Sequence, residues 1–131
     1  MELEHCFIVS STYGIENKNI KLQDLVDYNL ILPVTRSTPR KQLTKLLNKK
    51  GIMLNPFMTI ETTEMLIDAV KKNMGIGYVI KKAIKEDLKN NTLEEIKVDT
   101  PLPKLLLNLV YIENNLTYIP KIFMDEIKKN K

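Results

Sequence analysis

The two arginines of this 131-residue chain, Arg36 and Arg40, fall in one short run, Val34-Thr35-Arg36-Ser37-Thr38-Pro39-Arg40. Guanidinium groups grip carboxylates and phosphates through planar, paired hydrogen bonds, and the hydroxyls of Thr35, Ser37 and Thr38 stand beside them. Pro39 suits the first position of a helix, where a missing N–H does no harm, which makes Thr38 the expected cap. A strand running into such a helix start, with free N–H groups, hydroxyls and guanidinium groups together, is a site for a small anion. A plainer reading uses the same residues: Thr38 caps the helix and both arginines point into water. A second polar group, Glu61-Thr62-Thr63-Glu64, opens another helical stretch. There Thr62 or Thr63 can accept from the first-turn N–H groups, and the glutamates suit the positive end of the helix dipole.

Other chemistry is thinly supplied. One cysteine, Cys6, and one histidine, His5, allow no internal disulfide and no cysteine–histidine zinc cluster. Cys6 precedes Phe7, Ile8 and Val9 and reads as a buried strand residue, not a nucleophile; His5 then points to the opposite face, at the surface or a cleft edge. These scarcities weigh against most acid/base, nucleophilic and metal-dependent enzymes, though not against carboxylate chemistry. The formal net charge of +4 comes almost entirely from lysines interleaved with acidic residues, and the chain has no tryptophan. Such lysines form a solvated face, whereas nucleic-acid surfaces concentrate arginine and stacking aromatics. No apolar run approaches the roughly 20 residues of a membrane span, and the acidic start Met1-Glu2-Leu3-Glu4 is not a signal peptide. A single cytoplasmic domain is expected.

The elements that must position these groups follow from periodicity. The stretch 55–80 reads as strand, helix, strand: an apolar run after Pro56, helical spacing through Leu66, Ala69, Val70 and Met74, then a second apolar run after Gly75. Lys71, Lys72 and Gly75 make a helix end, with Gly75 in the left-handed conformation. Two strands so joined pair in parallel with a right-handed crossover, and ligands bind beyond their carboxyl ends. Elsewhere Glu4–Ser10 reads as a strand buried on both faces. Ser10-Ser11-Thr12-Tyr13-Gly14 is a polar crossing, residues 20–26 a helical turn, and Asn29–Pro33 a strand. A helix through Leu43, Leu46 and Leu47 ends at Gly51. Residues 81–90 form a further helix (Ala83, Ile84 and Leu88 inward), Leu93–Val98 an edge strand and Leu105–Ile112 a long apolar strand. The turn Glu113-Asn114-Asn115 leads to an amphipathic helix from Thr117 to Lys129.

The order of these segments resembles the effector-binding region of LysR-type transcriptional regulators. The resemblance is carried by Ile20-Lys21-Leu22-Gln23-Asp24-Leu25, Leu30-Ile31-Leu32-Pro33, the arginine/serine helix start, Glu61-Thr62, and Ala69-Val70-Lys71-Lys72-Asn73-Met74-Gly75-Ile76-Gly77-Tyr78-Val79-Ile80. Lys81 departs from the family's usual proline. The resemblance implies an α/β, Rossmann-like lobe of the periplasmic-binding-protein type, its mostly parallel sheet flanked by helices. Residues 19–101 would form a complete second lobe. Residues 1–18 and 102–131 would supply crossover strands and a C-terminal helix, so that the whole looks like a truncated effector-binding domain without the family's DNA-binding part. It further implies effector contacts from Ser10, Ser11 and Thr12, from Thr35, Arg36, Ser37 and Thr38, from Glu61, Thr62 and Thr63, and from Gly75 and Ile76.

With Arg40 completing the pair, the arginines favour an anionic effector such as a carboxylate, weakly held because half the cleft is absent. Apolar surface left over by such a truncation would be covered by homodimerisation. No cofactor, metal, membrane or specific DNA contact is expected. Two other readings use the same residues: a stand-alone solute-binding or dehydratase-like lobe for a small carboxylic acid, and a purely structural interaction module whose arginine loop only caps.

Overall fold

The computed structural model describes residues 1–15, 18–112 and 115–121. β1 (Glu2–Ser10) runs through the middle of the core, and the rest of the sheet is laid out from it. The strands β2 (Asn19–Ile20), β3 (Leu30–Pro33), β4 (Met58–Ile60), β5 (Ile76–Ile80) and β6 (Leu93–Val98) assemble in the order β2-β6-β1-β5-β3-β4. β7 (Lys104–Ile112) pairs with the first residues of β1, and β8 (Asn115–Pro120) pairs with β7. The helices are α1 (Thr38–Lys49), α2 (Thr63–Lys71) and α3 (Lys85–Lys89), with 3-10 turns at Leu22–Asp27 and Lys81–Ile84.

The α/β lobe with flanking helices is the expected one, but its sheet is mixed where a mostly parallel one was expected, because β1 enters it antiparallel to its neighbours. β3 lies parallel to both β4 and β5, as the strand–helix–strand pattern requires. β1 runs antiparallel to β5, β6 and β7. Side chains alternate faces along each strand, and both faces are covered. Phe7, Val9, Leu30, Leu32, Ile76 and Tyr78 pack with Leu43 and Leu47 of α1. Cys6, Ile8, Ile31 and Val79 pack with Leu66, Ala69 and Val70 of α2. β1 is thus buried on both sides, as its continuous apolar centre predicts. Gly77 fixes the height of α2 above the sheet, since a Cβ there would meet Val70 and Leu66.

Several expectations are corrected. α2 is terminated by Asn73 in the left-handed conformation (φ 62°), not by Gly75. Gly75 is required for another reason: a Cβ there would run into the Asn29 carbonyl. β6 is an internal strand, because the short β2 that sequence reading merged into the helical turn covers its outer edge in parallel. The single helix expected over 81–90 is a 3-10 turn followed by α3, with Ala83 exposed. Where the C-terminal helix was expected to begin, Thr117–Pro120 continue β8 in register with Leu107–Val110 of β7. Pro120 is unfit for a helix interior and Thr117-Tyr118-Ile119 favour a strand. The rest of that expected helix, 122–129, and most of the expected turn (113–114) lie outside the described residues.

Candidate effector cleft

β3, β4 and β5 are parallel, so their carboxyl ends (Pro33, Ile60, Ile80) lie at one edge of the sheet, and α1 and α2 start from that edge. A cleft of about 120 Å³ opens there, lined by Pro33, Ser37, Pro39, Ile60, Glu61, Thr62, Thr63, Leu66, Val79, Ile80, Tyr78 and His5. Both helix starts are set by hydroxyl caps. The Ser37 Oγ accepts from the Arg40 N–H at 3.3 Å, and the Thr62 Oγ1 accepts from the Met65 N–H at 3.2 Å. Ser37, and not Thr38, is therefore the cap of α1. Pro39 occupies the second helical position, which suits it equally since that N–H also lacks an intrahelical partner. Thr38 becomes the buried first residue of the helix, 8% exposed. The N–H groups of Thr63 and Glu64 have no acceptor among the described residues, leaving the positive end of α2 facing the cleft mouth.

The arginines separate. Arg36 is exposed and forms an ion pair with Glu61 across the rim, joining the strand-end loops after β3 and β4. Arg40 turns back along its own helix and donates to the Pro33 carbonyl at 2.9 Å. It does not line the cleft, and partial burial lowers its pKa. Thr35 is exposed near Arg36 without entering the cleft lining.

His5 supplies a wall that charge and motif reading placed only loosely at a cleft edge. It faces Ile80 across the β1–β5 ladder, and its ring stacks on Tyr78 with centroids 5.5 Å apart and planes 25° apart. Burial pushes the imidazole pKa down to about 4, partly countered by a backbone hydrogen bond at Leu3, so the ring is neutral at pH 7. Burial likewise raises the Tyr78 phenol. The alternation of β1 marks His5 as sharing a face with Phe7, and Phe7 also packs on Tyr78. Nothing in the sequence shows that Tyr78 reaches the cleft, since that depends on the antiparallel register.

Ser10, Ser11, Thr12, Gly75 and Ile76 do not join this cleft. β1 runs away from it, so its last residues lie beside the start of β5, four residues or about 13 Å from Ile80 along the strand. There the Thr12 hydroxyl lies 3.1 Å from Nδ2 and 3.2 Å from Oδ1 of Asn73 and 3.0 Å from the Ser10 hydroxyl. Ser11 bonds the Thr92 carbonyl. These groups tie the end of β1 to the end of α2. A larger hollow, about 400 Å³, lies beside β2 and holds Asp24 and Asp99. Its carboxylates serve the backbone: Asp24 accepts from the Lys21 N–H at 3.3 Å and Asp99 from the Leu22 N–H at 2.9 Å, which holds the Asp99 carboxyl below its ordinary pKa. No three histidine, cysteine or carboxylate side chains among the described residues are grouped to hold a metal ion. No helix among them is long and apolar enough to cross a membrane.

A family model, the LysR substrate binding domain, matches residues 1–130. The chain belongs to that family. It is 30% identical over 94 residues to a probable RuBisCO transcriptional regulator of Cyanidium caldarium, covering 70% of this chain and 30% of that one. The fold is shared with the regulatory domain of CcmR from Synechocystis PCC6803 in complex with 2-PG (TM-score 0.68, 16% identity, 79% of this chain and 50% of that one). It is shared also with the effector binding domain of QuiR in complex with shikimate (TM-score 0.66, 19% identity, 79% of this chain and 48% of that one). The chain thus spans about half the length of these effector-binding domains and less than a third of the curated relative. It therefore has the fold of the LysR substrate binding domain family over part of the length of its relatives.

Proposed function

We propose that the chain senses a small anionic effector, such as a carboxylate, for a LysR-type transcriptional regulator in the cytoplasm, and that it has no catalytic role. The observation that carries this reading is the convergence of two capped helix starts, at Ser37 and Thr62, on one cleft with a neutral histidine in its wall. Unpaired N–H groups and the positive helix end attract an anion. The hydroxyl hydrogens of Ser37, Thr62 and Thr63 are free to donate to it, and His5 and Tyr78 flank the body of the ligand. Shikimate in QuiR and 2-PG in CcmR are bound by proteins of the same fold, which supports a small-molecule ligand here. Within this reading residues 19–101 act as the second lobe of the domain, a ligand held from one side binds weakly, and Arg36 reaches the ligand only by leaving Glu61. Ser10, Ser11, Thr12, Gly75 and Ile76 then keep a structural part at the opposite end.

The chain dimerises: β4 is an edge strand, and Phe57 beside it is 55% exposed. It does not bind an operator specifically, since its positive charge is lysine interleaved with acidic residues and in part paired with them, as in Lys71–Asp87 and Lys81–Glu95. The test is ligand-dependent thermal stabilisation with a panel of small carboxylates and their neutral amides. Acids alone should stabilise, by about 2.7 kcal/mol at one hundred times the dissociation constant, and Ser37→Ala with Thr62→Ala should abolish the effect. Equal stabilisation by the amides would reject an anion site.

A further inference from the structure

Arg40, separated from Arg36, lies at the edge of a different cavity. Between α1 and the loop that follows it is a hollow of about 220 Å³, lined by Leu32, Leu43, Leu47, Ile52, Met53 and Leu54, with Arg40, Thr44 and Asn48 at its polar side. It shares no lining residue with the cleft. We propose that this hollow is a second small-molecule site, for a monocarboxylate with an apolar body the size of a single ring.

Charge complementarity comes first. No acidic residue lines the hollow, and Arg40, unlike Arg36, has no carboxylate partner among the described residues. Its guanidinium spends one N–H group on the Pro33 carbonyl and keeps the others for an incoming acceptor. A partly desolvated cation without a counter-charge is costly, and an anion beside it offsets that cost. Size comes second. Leu32, Leu43 and Leu47 are at most 4% exposed and form fixed apolar walls, and a dry cavity of about 150 Å³ already takes benzene. Cover comes third. Met53 is 91% exposed at the rim, and an unbranched thioether can fold over a bound apolar ring. A phosphate or a polyhydroxylated acid lacks the apolar body these walls ask for, which distinguishes the ligand class from that of the cleft.

Benzoate titrated into the 15N-labelled chain, followed by amide chemical shifts, tests the site. Saturable shifts are expected across 40–54. Arg40→Gln should weaken binding about tenfold or more, the worth of one charge-assisted hydrogen bond, while Arg40→Lys keeps part of it. Thr44→Trp, placed at an exposed position on the rim, should block entry without disturbing the core. Thr62→Ala, in the cleft, should leave these shifts unchanged. The proposal is overturned by shifts confined to Ser37, Thr62 and Thr63, by benzyl alcohol binding as tightly as benzoate, or by the lack of any saturable shift.

Discussion

Replacing His5 by phenylalanine should make the fold more resistant to acid, by an amount that follows from the environment of the imidazole. The ring is held between Tyr78 and the start of β1, and its pKa falls from 6.5 to about 4, chiefly because burial disfavours the charged form. In the unfolded chain the imidazole binds a proton at its ordinary pKa, so below pH 6.5 the unfolded state carries more protons than the native one. Stability therefore falls with pH between 6.5 and about 4 and is unaffected above that window. At pH 4.5 the full shift would cost about 2.5 kcal/mol; because the ring is still partly exposed, about 2 kcal/mol is the working figure. Phenylalanine keeps the stacked ring against Tyr78 and cannot titrate. Urea unfolding of both proteins at pH 7.5 and pH 4.5 separates this from the carboxylates, which titrate alike in each. The wild type should lose about 2 kcal/mol more than His5→Phe on acidification. Equal losses would mean that His5 is charged in the native state and that the neutral wall ascribed to the cleft is wrong.

Gly77→Ala should be destabilising by about 1–3 kcal/mol, because its methyl meets Val70 and Leu66 of α2; denaturant melts of the single variant suffice, and a change within 0.5 kcal/mol would contradict the close seat of α2. Arg36→Ala should alter stability by less than about 0.5 kcal/mol, since its pair with Glu61 is exposed on both sides, and calorimetry showing a larger loss would point to a buried role. Burial raises the Cys6 thiol pKa to about 12, so Ellman's reagent at pH 8 should react with it only as fast as the protein unfolds. Immediate labelling of the native chain would contradict its placement under α2.

What could be read from the sequence divides along a physical line. Leu66, Ala69, Val70 and Gly77 lie close together in the chain, so helix spacing and strand alternation placed the central β4–α2–β5 unit, and with it the helix start at Thr62. The anion-site pattern at Thr35–Arg40 was likewise correct as a helix start, yet two local details decide its chemistry. Ser37 takes the capping position, and Arg40 finds the Pro33 carbonyl on the strand its own helix follows. A run of hydroxyls and guanidinium groups offers several such pairings of similar energy, and the packing of α1 against Leu32 selects among them. The direction of β1 was beyond local pattern altogether. A strand buried on both faces looks the same whichever way it runs, since alternation carries no polarity. Ladder pairings such as His5 with Ile80 and Ile8 with Gly77 set that direction. This register sends Ser10, Ser11 and Thr12 to the end of the sheet held by Asn73 and brings His5 to the strand ends where Thr62 and Ser37 wait. The cleft is therefore made by one non-local choice: had β1 run parallel to β5, its hydroxyl end would have faced the capped helices and His5 would have lain against Asn73.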